Sequence, residues 1–214
     1  MTETCDAVPR RDRDARREAI LDAASEVFLE EGFAAASMSA IAARVGGSKG
    51  TLYNYFKSKE ALFEAYVQRH CAWQQEAMFA LLTPDTEIGE ALRQFGASYL
   101  ASVFSEFSLR NFRLVIAEAE RAPAIGRSFY EAGPRAGVAR LAAHLRERAQ
   151  HGELSLADPM AAAHQFVGLC QNRLLKARLC NAVSEVTPEE INTEVADAVG
   201  TFLAAFGVPA GRSA

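Results

Sequence analysis

Between Gly32 and Lys59 lie 28 residues without one Asp or Glu, yet Arg44, Lys49, Lys57 and Lys59 all fall there, a local +4 in a chain whose formal net charge is -4. Three of the chain's four lysines sit within 49–59, interleaved with Thr51, Tyr53, Asn54 and Tyr55. A cation that neutralises a phosphate releases condensed counterions, and hydroxyl groups hydrogen-bond phosphate oxygens. The segment thus offers the chemistry of a nucleic-acid contact. A charge run is equally what a solvated helix face carries, so the elements around it have to decide.

Those elements are helical. The chain has 214 residues, half of them hydrophobic and 23% charged, with 41 alanines and only 14 glycines and 7 prolines. This is the composition of a globular protein and too apolar for a disordered one. Apolar positions recur at three- and four-residue spacing, and hairpin signals are absent, which sets β-rich classes aside. The fold expected is all-α, about nine helices. A pI of about 5.7 excludes a uniformly basic packaging protein, so any nucleic-acid surface is local. No apolar run reaches a membrane span and the first ten residues are unlike a secretory signal, which places the protein in the cytoplasm. Cys5, Cys71, Cys170 and Cys180 lie far apart without a C-x-x-C pair and read as reduced thiols.

Residues 1–12 read as a flexible arm. A first helix with Ala19, Ile20, Ala23, Ala24, Val27 and Phe28 on one face ends at Gly32. Ser37 caps a second that stops at Gly46-Gly47, Ser48 opens a third carrying Leu52 and Phe56 inward, and Ser58 caps a longer fourth. Two short helices joined by a glycine turn form a helix-turn-helix, whose second helix enters the major groove by its N-terminal end and so presents Lys49, Gly50 and Asn54.

The order Gly32-Phe33, Ser37-Met38-x-x-Ile41-Ala42 and Gly46-x-Ser48-x-Gly50-Thr51-Leu52-Tyr53-x-Tyr55-Phe56-x-Ser58-Lys59-Glu60-x-Leu62 resembles the N-terminal DNA-binding domain of the TetR family of transcriptional regulators. The likeness covers about residues 14–66. It implies base-edge contacts from Ser39, Lys49, Gly50 and Asn54, and phosphate contacts from Ser37, Thr51, Tyr53, Tyr55 and Lys59, with packing as the other reading of Tyr53. It also implies a variable helical ligand-binding and dimerisation domain behind the reading head. The domains expected are therefore 13–60 for DNA and 61–214 for effector and dimer. Two positions depart from the pattern: Gly47 stands where an apolar residue is usual, and Ala40 replaces the capping-box acid. Both loosen the motif and lead us to expect a softer head until DNA binds.

In the second domain Phe95, Tyr99, Phe104, Phe107, Phe112, Phe129 and Tyr130 concentrate aromatic surface in the middle helices, the composition of a small, largely apolar effector pocket or of an ordinary core. His164, Gln171 and Asn172 interrupt an apolar helix expected over 159–180, and need partners from protein, water or ligand. The last helix, 188–206, opens at Thr187-Pro188-Glu189-Glu190. Its stripe of Ile191, Val195, Ala198, Val199, Phe202 and Phe206, with Ala163, Val167, Cys170 and Leu174, is expected to bury against a symmetry mate as a four-helix interface, or else within the chain. His144 and His151 lack a carboxylate or thiol at metal-ligand spacing, so no metal or cofactor is expected. Cys71 beside His70 reads as an inert buried thiol, with redox sensing as the other reading.

The first expectation is a homodimeric repressor released from an inverted-repeat operator by an effector, with activation open. The stretch Val45-Gly46-Gly47-Ser48-Lys49-Gly50-Thr51 has its lysine before the glycine and no strand leading in, unlike a phosphate loop, and no nucleophile elbow occurs. An enzyme is not expected. An all-helical carrier or adaptor binding an acidic partner protein remains the alternative.

Overall fold

A computed structural model describes residues 10–208, which leaves the expected arm of 1–12 largely outside the described residues. In chain order the helices are α1 (Arg10–Ala35), α2 (Met38–Val45), α3 (Lys49–Tyr55), α4 (Lys59–Phe79), α5 (Ile88–Val103), α6 (Glu106–Ala119), α7 (Pro123–Tyr130), α8 (Ala136–Gln150), α9 (Pro159–Gln171), α10 (Leu174–Leu179) and α11 (Pro188–Phe206). Among the described residues the only β feature is an isolated bridge between Leu154 and Gly207.

The chain divides into two compact units, Met1–Arg69 with Leu114–Ser128, and His70–Arg113 with Phe129–Ala214. The first boundary between the units falls inside α4. The reason is aromatic: Phe63 of α4 meets Phe28 and Phe33 of α1 edge-on, with ring centroids 5.1 and 5.2 Å apart, so the first turns of α4 belong to the core of α1. Ile20, Leu21, Ala24, Ile41, Leu52 and Leu62 complete that core. Gly32 interrupts α1 with φ 80° and ψ 162°, a positive-φ conformation that glycine adopts freely, at the point where the sequence ends the helix.

In the second unit α11 packs on α5 and α9, and α8 packs on α9. Val195, Val199 and Phe202 are buried in that core, while Val167, Leu174 and Phe206 pack against it. Of the expected dimer residues, Val195, Val199 and Phe202 are thus spent inside their own chain, while Val167, Leu174 and Phe206 keep part of their surface open. The stripe of α11 is consumed within its own chain, because α5 and α9 offer an apolar cover without the association entropy a second protomer costs. The face left outward on α11 carries Ala196, Gly200 and Ala204.

Two local features of this unit have backbone causes. The helix expected over 159–180 is two, since the Arg173 N–H turns from the helix ladder to donate to Glu194 Oε1 at 3.3 Å. At Gly133-Pro134 the chain does not leave the helix. It widens into one π turn, Glu131–Arg135, where Pro134 has no N–H to give, and Gln75 Nε2 donates to the carbonyls of Ala132 and Gly133 at 2.9 and 3.2 Å, the second of which also accepts the Ala136 N–H.

Candidate nucleic-acid interface

Three serines set the geometry of the reading head. Ser37 Oγ accepts the Ala40 N–H at 3.1 Å and starts α2, Ser48 Oγ accepts the Thr51 N–H at 3.1 Å and starts α3, and Ser58 Oγ accepts the Ala61 N–H at 3.1 Å near the start of α4. Between α2 and α3, Gly46 takes φ 71° and the Gly47 N–H reaches back to the Ala42 carbonyl at 3.0 Å, the Schellman arrangement that stops a helix sharply. Leu52 and Phe56 anchor α3 inward. With that anchor fixed, Lys49, Gly50, Tyr53 and Asn54 share the outward face, Thr51 and Tyr55 are half-buried at its flanks, and Ser37 and Ser39 are exposed on the first turn of α2.

The charge of the acid-free segment is unevenly available. Arg44 donates to Glu26 Oε2 at 3.0 Å and to Glu30 Oε2 at 2.7 Å, so two carboxylates of α1 raise its already high pKa and offset its charge. Lys59 is also committed. Its ammonium donates to the carbonyls of Phe33, Ala34 and Ala36 at 2.6, 3.2 and 2.9 Å and sits 4.5 Å from the Phe33 ring centroid. Without DNA, the ammonium expected at a phosphate thus clasps the end of α1. Lys49, 5.9 Å from the Tyr53 ring centroid, and Lys57, 3.4 Å from the Tyr53 carbonyl, retain their charge at the surface.

Sequence reasoning missed Arg16. Its Nη2 lies where a Cβ on Gly47 would come within 2.7 Å, and it lines a small hollow with Ile20, Val45, Ser48 and Thr51. The signal was present in the glycine itself, at the position noted as a departure.

The candidate effector residues fall into separate groups. Phe95 stacks on Tyr99 with centroids 6.2 Å apart and meets Phe79 at 5.1 Å, and Gln171 Nε2 donates to the Tyr99 hydroxyl, whose ionisation burial opposes. Gln171 therefore has a protein partner. Phe112 and Phe129 stack at 5.6 Å, Phe107 lies 4.6 Å from His70, Phe104 is buried at the end of α5, and Tyr130 is 52% exposed. His164 and Asn172 are exposed on the surface of the protomer. Among the described residues no group of three or more His, Cys, Asp or Glu is placed to hold a metal, and no helix is long and apolar enough to cross a membrane.

Comparison with known proteins adds the following. Residues 20–66 match the family model of bacterial regulatory proteins, tetR family, and residues 90–208 match that of the AefR-like transcriptional repressor, C-terminal domain. The HTH-type transcriptional activator FasR of Mycolicibacterium smegmatis is 38% identical over 106 residues, 50% of this chain and 48% of its own. The HTH-type transcriptional regulator UidR of Escherichia coli K12 is 53% identical over 51 residues, 24% of this chain and 26% of its own. The chain thus spans half or less of these curated relatives. Among solved structures, a protein of Mesorhizobium loti assigned to the TetR-family regulators superposes with TM-score 0.85 at 27% identity, covering 94% of this chain and 100% of that one. The flavonoid-responsive regulator FrrA does so with TM-score 0.78 at 36% identity, covering 92% and 100%.

Proposed function

The chain belongs to the TetR family of helix-turn-helix transcriptional regulators, and from that premise we propose that it is a cytoplasmic homodimeric repressor that leaves an inverted-repeat operator when a small, largely apolar effector binds. The observation that carries the DNA half is the shared outward face of Lys49, Gly50, Tyr53 and Asn54 on a helix capped by Ser48 and anchored by Leu52 and Phe56. Lysine donates to guanine O6 and N7, the asparagine amide pairs with adenine N6 and N7, and a glycine between them lets the backbone approach the groove.

Phosphate contacts from the hydroxyls of Ser37, Thr51, Tyr53 and Tyr55 would fix the register of that face, with Ser39 at a base edge. Two heads related by a twofold axis read half-sites one duplex turn apart. Repression is supported by the C-terminal family model, and an apolar effector by the aromatic groups of the second unit and by a 36% identical relative named as flavonoid-responsive.

Selection of duplexes from a random pool by the purified chain tests this. An inverted repeat, bound far more tightly than its scrambled version and released by apolar aromatic compounds, is expected. Equal retention of scrambled duplex, or none at physiological salt, overturns the reading, and the second result favours a carrier or adaptor instead.

A further inference from the structure

Arg16 stands one helical turn before Ile20, which is buried against α2, and the same hollow is lined by Arg16, Ile20, Ala42, Val45, Gly47, Ser48, Thr51 and Leu52. Its guanidinium lies over the turn between α2 and α3, where a Cβ on Gly47 would stand 2.7 Å from Nη2. A carbon and a nitrogen do not approach so closely. Any side chain at position 47 would push the guanidinium off this seat, and the backbone at 47 does not itself demand glycine, because only Gly46 of the pair has positive φ. Glycine at 47 thus leaves room for the Arg16 guanidinium as well as closing the turn.

The half-buried Arg16 has no ion pair or hydrogen bond among the described residues. Acids are at hand. Asp12 lies four residues back on α1, and Glu18 and Asp22 follow, yet Arg17 takes Glu18 at 3.3 Å and Arg69 takes Glu18 and Asp22 at 3.0 and 2.8 Å. A guanidinium carries five N–H donors and remains charged at any working pH. Held with its charge unspent beside the hydroxyls of Ser48 and Thr51, which are 2.9 Å apart, it presents donors to an anion arriving at the turn.

We propose that Arg16, seated over Gly47, is a phosphate-binding residue of the DNA interface, gripping the strand that flanks the groove entered by α3. The inference rests on the DNA-binding reading and adds to it a contact from α1, outside the helix-turn-helix proper. In a head where Lys59 is clasped to α1 and Arg44 is neutralised by Glu26 and Glu30, it restores a cation to the backbone-contacting surface.

The test is the salt dependence of the full-length chain on its selected duplex. Arg16→Ala is expected to make the slope of log K against log salt shallower by about 0.9, the share of one phosphate, and to weaken binding about eightfold near 0.1 M salt. The ranking of operator variants should stay the same, since phosphate contacts carry no base information. Arg16→Lys should keep most of the slope. Gly47→Ala meets only the far end of a flexible side chain, so it should fold normally and still bind more weakly. Arg17→Ala, the same charge change at an engaged neighbour, should leave the slope in place. An unaltered slope in Arg16→Ala with a lowered melting midpoint overturns the proposal in favour of simple packing. Equal loss of slope in the Arg16 and Arg17 variants overturns it in favour of a diffuse field. Both outcomes leave the DNA-binding reading intact, whereas failure of the unaltered chain to retain any duplex removes the two together.

Discussion

Lys59 Nζ donates to the Phe33 carbonyl at 2.6 Å while resting 4.5 Å from the centroid of the Phe33 ring. With the carbonyls of Ala34 and Ala36 this uses all three ammonium hydrogens on the residues where α1 has ended after Gly32. A cation at a helix C-terminus is favoured by the partial negative charge of the last carbonyls, and the ring face adds to the attraction. Because Lys59 is also the first residue of α4, one side chain joins the end of α1 to the start of the helix that Phe63 packs against it.

Lys59→Ala is accordingly a stability variant. Loss of hydrogen bonds from a charged donor should cost about 2 kcal/mol in urea unfolding, while the salt slope of duplex binding stays that of the unaltered chain. A shallower slope would return Lys59 to the phosphate-contacting set.

Lys49 and Asn54 stand exposed on the outward face of α3. Lys49→Ala should weaken binding of the best operator roughly tenfold and relax preference at one base pair of each half-site. Asn54→Ala should relax a neighbouring position. Sites selected by each variant, read against those of the unaltered chain, check both.

The reading head was legible because its information is local: serine caps, a glycine stop and the inward pair Leu52 and Phe56 each act within a few residues. The partners of its charges were not, since the carbonyls that bind Lys59 are 23 to 26 residues away and the acids that bind Arg44 lie on α1. The same limit governs the second unit. A stripe such as Val195, Val199 and Phe202 shows that a face is buried but not whether the cover comes from the same chain. Likewise Gln171 could be recognised as needing a partner, while its choice of Tyr99, 72 residues away, depended on how α5 and α9 cross.

Glu194 is a buried carboxylate held by Arg173 Nε at 2.7 Å, and Arg173 also reaches Asp197 at 2.9 Å. Removing the arginine leaves a charge stranded at the junction of α9 and α10. Arg173→Ala should therefore lower the melting midpoint more than Arg93→Ala, whose partner Glu90 is exposed. Adding Glu194→Gln to Arg173→Ala should recover part of the loss, a coupling that a double-mutant cycle reads directly.

Burial pushes the Cys71 thiol up to about 11 and the Cys170 thiol up to about 12, so near pH 8 only about one Cys71 side chain in a thousand is thiolate. Cys180 is exposed. Alkylation of the native protein at pH 8 should label Cys180 and spare Cys71 and Cys170 until denaturant is added. Rapid native labelling of Cys71 would reopen a redox role for it.

We place the proposed twofold contact on the outward faces of α9 and α11, where His164 and Gly168 of one helix and Ala196, Gly200 and Ala204 of the other are exposed. Small side chains let helix axes approach closely, so a partner there buries backbone and Cβ surface in place of a large apolar stripe. A Cβ at Gly200 meets nothing within 4 Å of its own chain. Gly200→Arg should consequently fold as well as the unaltered protomer, with arginine the better helix former, while blocking close approach by a second copy. Sedimentation should then show a monomer of unchanged melting midpoint, and binding should fall to the level of a single half-site. Phe202→Ala makes the contrast, since that side chain is fully buried within its own chain. It should lose about 3–5 kcal/mol of folding stability through the cavity it leaves. A dimer that survives Gly200→Arg unchanged places the twofold axis elsewhere on the second unit.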